Sequence, residues 1–332
     1  MKRVGIIGAG LIGGKRAAQM KGAQLVAVCD PNSERATTLA DAHGAHVETS
    51  AEELVKRPDV DIVIVSTIND ALVPCGTMAV KAGKHVLIEK PAARSSDEIQ
   101  TLIEAMAHSS SVVRVGFNHR FHPAFQKAKH LLSTPSVGPL MYIRARYGHG
   151  GRVGYDREWR ADPQRSGGGE LLDQGVHLID LCRWLGGEFQ LQWGMAKTFF
   201  WDMPVEDNGF MMLRSPDGQR SAFLHASCTE WKNLFDFEIF CKHAKIEISG
   251  IGRSYGKEEL RLYQMKPEMG PPNITIDTFP DEDLSWQTEF DAFLQAIDGG
   301  KSDIASTVDA LRALEVVRDV YRQSDSYSAC NV

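Results

Sequence analysis

No apolar run in these 332 residues approaches the ~20 that a membrane-spanning helix needs. The six cysteines, at 29, 75, 182, 228, 241 and 330, include no CxxC pair, so neither a disulfide framework nor a zinc ribbon is indicated. Positive charge is not in excess. The 37 Lys and Arg against 43 Asp and Glu leave a net −6, which argues against a general nucleic-acid or anionic-membrane binder. There is no internal repeat and no low-complexity tract, and 43 % hydrophobic with 24 % charged residues rules out wholesale disorder. The start, Met1-Lys2-Arg3 before VGIIGAGLIGG, imitates a signal peptide. Five glycines break its apolar stretch, Lys15-Arg16 follows at once and no small-residue cleavage pattern is present, so the expected location is the cytoplasm.

What is there suits two domains, each of the usual roughly 100–200 residues. Up to about residue 116, short Val- and Ile-rich runs alternate with amphipathic stretches. Candidate strands are Arg3–Ile7, Gln24–Cys29, Asp61–Ser66, His85–Ile88 and Val112–Val115, with little charge inside, as a parallel sheet buried on both faces requires. This predicts a doubly wound α/β domain over 1–117. After Gly116 a helix pattern (His122–Leu132) leads to a strand, Leu140–Tyr147. A Gly-, Arg- and Asp-rich loop then precedes an apolar helix, Leu171–Leu185. From Phe189 to about Ile276 the runs MAKTFFW, GFMMLRS, RSAFLHAS, FDFEIFC, AKIEIS and ELRLYQM read as strands with period-2 alternation and short turns. The expectation for 118–332 is an α+β domain, a large open, mostly antiparallel sheet covered by helices on one face. The C-terminal helix packs back on the first domain in this reading.

Gly8-Ala9-Gly10-Leu11-Ile12-Gly13 follows the first strand and opens a helix pattern. In a Rossmann unit the first glycine allows the tight turn, the second admits the pyrophosphate, and the third lets helix and strand pack closely. Asp30 ends the second strand 17 residues beyond Gly13, where a carboxylate accepts from the adenine ribose hydroxyls and repels a 2′-phosphate. NAD is the expected cofactor, and nearby Arg35 leaves NADP open. A glycine-rich turn without cofactor is the bland alternative.

The strand His85–Ile88 ends in Glu89-Lys90-Pro91, at the carboxyl edge where open α/β sheets bind ligands. Pro91 disfavours helix at Lys90, whose ammonium can donate to a substrate oxygen and stabilise alkoxide charge. A surface salt bridge between Glu89 and Lys90 is the alternative. In the apolar helix, Asp173, His177, Asp180 and Trp184 form one stripe. A carboxylate one turn from a histidine can hold its tautomer, making His177 a candidate general base. The same two residues also suit a structural pair or metal ligands, with His119 and His122 offering a second pair. No cluster completes a metal site, and none is expected.

Together VGIIGAGLIGG, AGKHVLIEKP at 82–91, GFNHRFHPAF at 116–125 and EWRADPQRSGGGELLDQGVHLIDLCRWLGG at 158–187 resemble the glucose–fructose oxidoreductase/inositol dehydrogenase/rhizopine-catabolism (Gfo/Idh/MocA) family over nearly the whole chain. The resemblance implies a nicotinamide cofactor on the first domain and a sugar, cyclitol or sugar derivative against the open sheet of the second. It assigns the catalytic set to Lys90, Asp173 and His177. Cofactor contacts fall on Gly8, Gly10, Leu11, Ile12, Gly13, Asp30, Arg35, Ser66, Thr67, Asn69, Glu89, Lys90, Asn118 and the Trp159-Arg160 pair. Arg120, His149, Tyr155 and Trp231 join the catalytic three as candidate substrate contacts. One departure is visible: where relatives often carry Thr-Pro-Asn with His three residues on, this chain has Thr67-Ile68-Asn69 and then Leu72. The expected activity is NAD(P)-dependent oxidation of a secondary hydroxyl. An NAD-dependent glycosidase using transient oxidation and a non-catalytic dinucleotide-binding regulator are the alternatives. Phe210, Met212, Phe223 and the FFW run at 199–201 suggest an apolar sheet face, hence a dimer or tetramer built on the second domain. Closing helices at 285–298 and 306–322 are the alternative cover for that face.

Overall fold

The structure, a computed structural model, describes residues 1–280 and 282–324. Cys330 lies outside them. The chain divides into two compact units. One comprises Met1–Asn118, Gln164–Gly167 and Trp286–Leu314; the other holds His119–Pro163, Gly168–Ser285 and the segment from Glu315. The stretches 164–167 and 286–314, grouped with the second domain by the sequence reading, thus cluster with the first unit.

The first unit is a six-stranded parallel sheet. Its strands are β1 (Lys2–Ile7), β2 (Ala23–Cys29), β3 (His46–Val47), β4 (Ile62–Val65), β5 (His85–Glu89) and β6 (Val113–Gly116), in the order β3-β2-β1-β4-β5-β6. Helices α1 (Leu11–Ala18), α2 (Ser33–His43), α3 (Ala51–Lys56), α4 (Asn69–Lys81) and α5 (Ser96–Ala107) make the crossovers. All four residues of β4 are buried, as its unbroken apolar run demands. The two-residue β3 is too short to show a period, so no strand is legible there. Asn32, Ser50 and Ser95 start α2, α3 and α5 by accepting the N–H of Arg35, Glu53 and Glu98. The outer edge of β6 is covered where Val115 N–H donates to Ala305 O at 2.9 Å.

The most demanding group in this unit is Arg16 of α1, 2 % exposed. Its Nε donates to Glu89 Oε1 at 2.6 Å and its Nη1 to Glu289 Oε2 at 2.5 Å, while Trp286 lies 4.5 Å from the guanidinium. Glu289 and Trp286 belong to α9 (Ser285–Ile297). A Cβ on Gly116 would come within 2.4 Å of Arg16 Nη2, so the cluster requires glycine at the end of β6.

In the second unit, α6 (Pro123–Leu132) and α8 (Val176–Gly186) lie on one face of an eight-stranded sheet, while the single turn α7 (Pro163–Ser166) and α10 (Thr307–Gln323) each have residues assigned to both units. The strands are β7 (Leu140–Gly148), β8 (Gln190–Lys197), β9 (Asn208–Arg214), β10 (Ser221–Ser227), β11 (Leu234–Cys241), β12 (Ala244–Ser249), β13 (Glu259–Gln264) and β14 (Asn273–Thr278). Their order is β14-β13-β12-β11-β7-β10-β9-β8, antiparallel except for β7 with β10. Alternation sorts the faces. Phe235 and Phe237 of β11 point to the helix side, where Phe125 of α6 meets them edge-on at 5.8 and 5.2 Å. The other face carries a charge ladder, Arg144 with Glu238 and Arg146 with Asp236, beside apolar Trp193, Met212 and Phe223.

Two expectations need correction. MAKTFFW is not all strand: β8 stops at Lys197, and Asp207 accepts the backbone N–H of Phe199, Phe200 and Trp201 at 2.9, 2.7 and 3.0 Å, turning the aromatics into a loop. The helix expected at Leu171–Leu185 begins instead with a wide π-type turn at Leu171–Gly175.

Replacing Arg16 by Met leaves two carboxylates buried without their cation and should lower unfolding free energy by about 3–5 kcal/mol. The same change at Arg3, half exposed on Asp61, should hardly move the urea midpoint. Equal midpoint shifts for the two variants would refute the importance given to the buried cluster.

Candidate active site

The loop after β1 shows what each glycine is for. Gly8 sits at φ +101°, and a Cβ there would come 2.5 Å from Ser66 O. A Cβ on Gly13 would lie 2.0 Å from Gly8 O. Gly10, by contrast, has an ordinary backbone (φ −74°, ψ −167°) and nothing within 4 Å of an added Cβ. The protein's own packing therefore accounts for the first and third glycines and leaves open room above the second, as a pyrophosphate at a helix N-terminus requires. Leu11 is exposed beside that space and Ile12 half-buried.

Asp30 is held at the end of β2, its Oδ2 accepting from Ala9 N–H at 2.7 Å and its Oδ1 from Asn32 N–H at 2.8 Å. These residues fit a dinucleotide with free ribose hydroxyls. Arg35 is exposed, its backbone N–H capped by Asn32. Ser66 Oγ donates to Gly8 O at 2.8 Å, Thr67 Oγ1 to Ile68 O at 3.1 Å, and Asn69 Nδ2 to Ser166 O at 2.8 Å. Leu72, where the sequence departs from the family pattern, is a core residue.

At the end of β5, Glu89 turns inward to Arg16. The Lys90–Pro91 peptide is cis, and Ala92, at φ +73°, closes the turn by donating to Glu89 O at 2.9 Å. Lys90 is half-buried, and Asn118, the last residue of the first segment, is buried.

The second unit gathers its ionisable groups around the wide turn and α8. The turn presses on β9 and β10 because Gly209 and Gly175 leave room: a Cβ on Gly209 would lie 2.8 Å from Leu171 Cβ. Buried Glu206 holds its start, accepting from Gly169 N–H at 2.9 Å, Leu171 N–H at 3.0 Å and the Tyr321 hydroxyl at 2.8 Å. Asp173, in the turn, accepts from Arg160 Nε at 3.2 Å, and its charge raises the Arg160 pKa. Arg160 also lies over Trp159, at 4.6 Å. His177, in the first turn of α8, is buried and stacks on His119 with centroids 3.8 Å apart and planes at 14°. His119 Nε2 is 3.2 Å from the Tyr147 hydroxyl, and Tyr147 in turn meets Tyr255 with rings 5.0 Å apart. Burial pushes both tyrosine hydroxyls well up, so each keeps its proton.

The sequence set His119 beside His122 as a pair, but the structure separates their roles. His122 Nδ1 lies 3.0 Å from Glu258 Oε2, whose other oxygen accepts Ala124 N–H at the start of α6. Among the described residues no group of three His, Cys, Asp or Glu is arranged to hold a metal. Arg120 is likewise drawn inward, its Nε and Nη2 donating to Asp180 at 2.8 and 2.5 Å with both side chains buried.

A second cluster follows. Buried Glu170 Oε2 is 3.5 Å from His149 Nε2 and accepts from the Tyr155 hydroxyl at 3.4 Å. Burial alone would lower the His149 pKa, but the Glu170 carboxylate outweighs it and the net shift is upward. Tyr155 packs against Trp201 at 5.7 Å, and Trp201 Nε1 donates to Cys228 O at 3.0 Å. Trp231 stands 76 % exposed at φ +61°, edge-on to Phe200 at 5.0 Å. Sequence reasoning missed His119 as the partner of His177, and also Glu170 and Trp201. Glu170 directly follows the glycine triplet, the one signal that could have found it.

Two family models match the chain. One, described as "Oxidoreductase family, NAD-binding Rossmann fold", matches residues 2–117, and the GFO/IDH/MocA C-terminal domain matches residues 125–247. The chain belongs to the GFO/IDH/MocA family. Among curated relatives, levoglucosan dehydrogenase of Pseudarthrobacter phenanthrenivorans is 30 % identical over 193 residues, 55 % of this chain and 47 % of its own length. Inositol 2-dehydrogenase 2 of Saccharopolyspora erythraea is 31 % identical over 243 residues, 71 % of this chain and 66 % of its own. The chain thus spans about half the length of the first curated relatives it matches. Among solved structures, levoglucosan dehydrogenase in complex with NADH matches with TM-score 0.85 at 21 % identity, covering 97 % of this chain and 98 % of that one. At that identity the likeness speaks for the shared fold.

For this GFO/IDH/MocA member, Gly10→Ala should weaken NAD binding at least about tenfold. Its melting temperature should stay within about 2 °C of the parent, because no atom of the protein meets the new methyl. Gly13→Ala should lose stability outright. Unchanged NAD affinity by calorimetry in Gly10→Ala would defeat the assignment of the open space.

Proposed function

We propose that the chain is an NAD-dependent dehydrogenase acting on a secondary hydroxyl of a sugar, cyclitol or sugar derivative, or in reverse on the corresponding ketone. The observation that carries this reading is the buried His177 with Asp173 one turn before it, in a family whose first domain binds NAD. Bound NAD supplies the hydride acceptor. The glycine loop would receive its pyrophosphate, and Asp30 its adenine ribose hydroxyls, which disfavours a 2′-phosphate.

The remaining chemistry falls to the chain's own side chains. Lys90 donates a hydrogen bond to the substrate oxygen and stabilises negative charge there. His177 takes the hydroxyl proton, and Asp173, steadied by Arg160, favours the resulting imidazolium. His149 and Tyr155, anchored on Glu170, suit hydrogen bonds to further hydroxyls, and the exposed Trp231 offers an apolar face to a ring. Arg120, committed to Asp180, is left out of this set. The names of the relatives, levoglucosan and inositol dehydrogenases, suggest anhydrosugars and cyclitols as the first compounds to try.

NADH absorbance on a panel of inositols, levoglucosan and hexoses tests the reading. Lys90→Ala and His177→Ala should each cost ~10²–10⁴-fold in turnover; near-normal turnover in both would overturn the roles. Sugar release from glycosides without net NADH would identify a redox-neutral glycosidase instead, and tight NAD binding with an inert panel would mark a regulator.

We further propose a cytoplasmic homo-oligomer, a dimer or tetramer built through the second unit's open sheet face. Trp193 of β8 is opposite Met212 of β9, which is opposite Phe223 of β10, a continuous apolar row with each side chain 48 % exposed. Among the described residues the five cysteines are free thiols, in keeping with a reducing compartment. Light scattering at micromolar concentration should give two or four times 36.7 kDa; a persistent monomer mass would exclude the assembly.

A further inference from the structure

We propose that Phe200 and Trp231 form an outer sugar subsite, so that the substrate is a two-ring glycoside: one pyranose packs on this aromatic corner while the other ring carries the reacting hydroxyl. Which ring reacts rests on the dehydrogenase reading above. Packing does not explain Trp231. It stands 76 % exposed, so it buries little apolar surface, and its φ of +61° is a left-handed conformation that a bulky side chain adopts only at a cost. Phe200 is 54 % exposed beside it, the two rings 5.0 Å apart at 74°. Two large apolar rings held as a corner in water add little to stability and suit a flat ligand with C–H faces, as a pyranose has.

The strands bring this corner to one end of the sheet. Lys197, Asn208, Ser227, Gly148 and Leu234 are paired in register there, so the loops 198–207 and 228–233 and the segment from His149 all leave from that end. The loops are stitched together. Asp207 accepts the N–H of Phe200 at 2.7 Å, its own carbonyl accepts Cys228 N–H at 2.9 Å, and Trp201 Nε1 donates to Cys228 O at 3.0 Å. His149 O accepts Glu230 N–H at 3.0 Å, which fixes the residue before Trp231. Gly150 allows this approach, because a Cβ there would lie 2.8 Å from the carbonyl carbon of Trp231. From the same stretch of backbone the His149 side chain turns inward, 3.5 Å from buried Glu170, with Tyr155 next to it and 5 % exposed. A ring that meets His149 and Tyr155 is enclosed, whereas one that meets Trp231 is still partly in water. One pyranose does not do both. Two joined through a glycosidic oxygen do.

The test is calorimetry on the full-length chain with NADH bound, using matched sugars: glucose against cellobiose and maltose, galactose against melibiose, and myo-inositol against galactinol. In the parent, at least one two-ring compound should bind at least about fivefold more tightly than its one-ring counterpart. Phe200→Ala and Trp231→Gly should each remove that advantage and leave one-ring binding within about twofold. Glycine suits a φ of +61°. Trp231→Gly should therefore also keep its melting temperature within about 3 °C of the parent, which a packing role for the indole would not allow. The proposal is overturned if no two-ring compound outbinds its counterpart, or if the advantage survives both variants. It is also overturned if light scattering shows that the variants change the oligomeric mass, which would make the corner a contact between subunits. Two-ring compounds that bind with this preference and yield no NADH would strike the dehydrogenase reading and leave the subsite standing. NADH formed equally well from one-ring and two-ring compounds would do the reverse.

Discussion

A guanidinium buried between two carboxylates organises the first unit. Arg16 leaves the dinucleotide loop's own helix, Glu89 ends the strand that delivers Lys90, and Glu289 comes from a helix nearly two hundred positions further on. Removing such charges from water costs several kcal/mol each, and the cost is offset only when the geometry is close and the hydrogen bonds are made. That condition ties the loop after β1 to the end of β5. It also explains Gly116, where any side chain would displace the guanidinium. A hydrophobic contact of the same area would tolerate sliding, whereas this cluster does not.

The second unit solves a related problem with Glu206. A helix that starts inside the protein exposes backbone N–H groups that must be satisfied, and the side chain of Glu170, at the start of the turn, does not cap them. Glu206 reaches from the segment before β9 to take two of them, and Tyr321 closes its remaining demand. The glycines before the turn are the steric condition for this approach: a Cβ on Gly169 would fall 2.0 Å from Glu206 O, and one on Gly168 2.0 Å from the Tyr321 hydroxyl. Gly168 and Gly169 therefore serve packing within this unit, beyond their value as a family signature.

The alternating unit was legible in the sequence because buried parallel strands are nearly continuous apolar runs, and Ile62–Val65 leaves no other reading. The glycine loop and Asp30 were legible because their roles depend on local backbone geometry. The open sheet was legible as strands but not as an order, since the parallel pairing of β7 with β10 joins residues about eighty apart and leaves no mark on either run. The π-type turn escaped because the apolar spacing of Leu171–Leu185 satisfies a regular helix equally well. The stack of His119 on His177 escaped for the same reason as the sheet order: it is a contact between distant segments, set by packing.

Arginines show where sequence alone must stop. Arg120 and Arg160 both lie in stretches that resemble the family, and both pair with an aspartate near α8. Burial separates them. Arg120 and Asp180 are 5 % and 2 % exposed, a buried bidentate pair. Arg160 and Asp173 are 34 % and 19 % exposed, with Arg160 Nε donating to Asp173 at 3.2 Å, and so can exchange partners as charge changes nearby. A fixed pair serves architecture because breaking it strands a charge in the interior, while a half-open pair can respond to a proton moving onto His177 one turn away. The same residue types thus divide into scaffold and chemistry by how much water still reaches them.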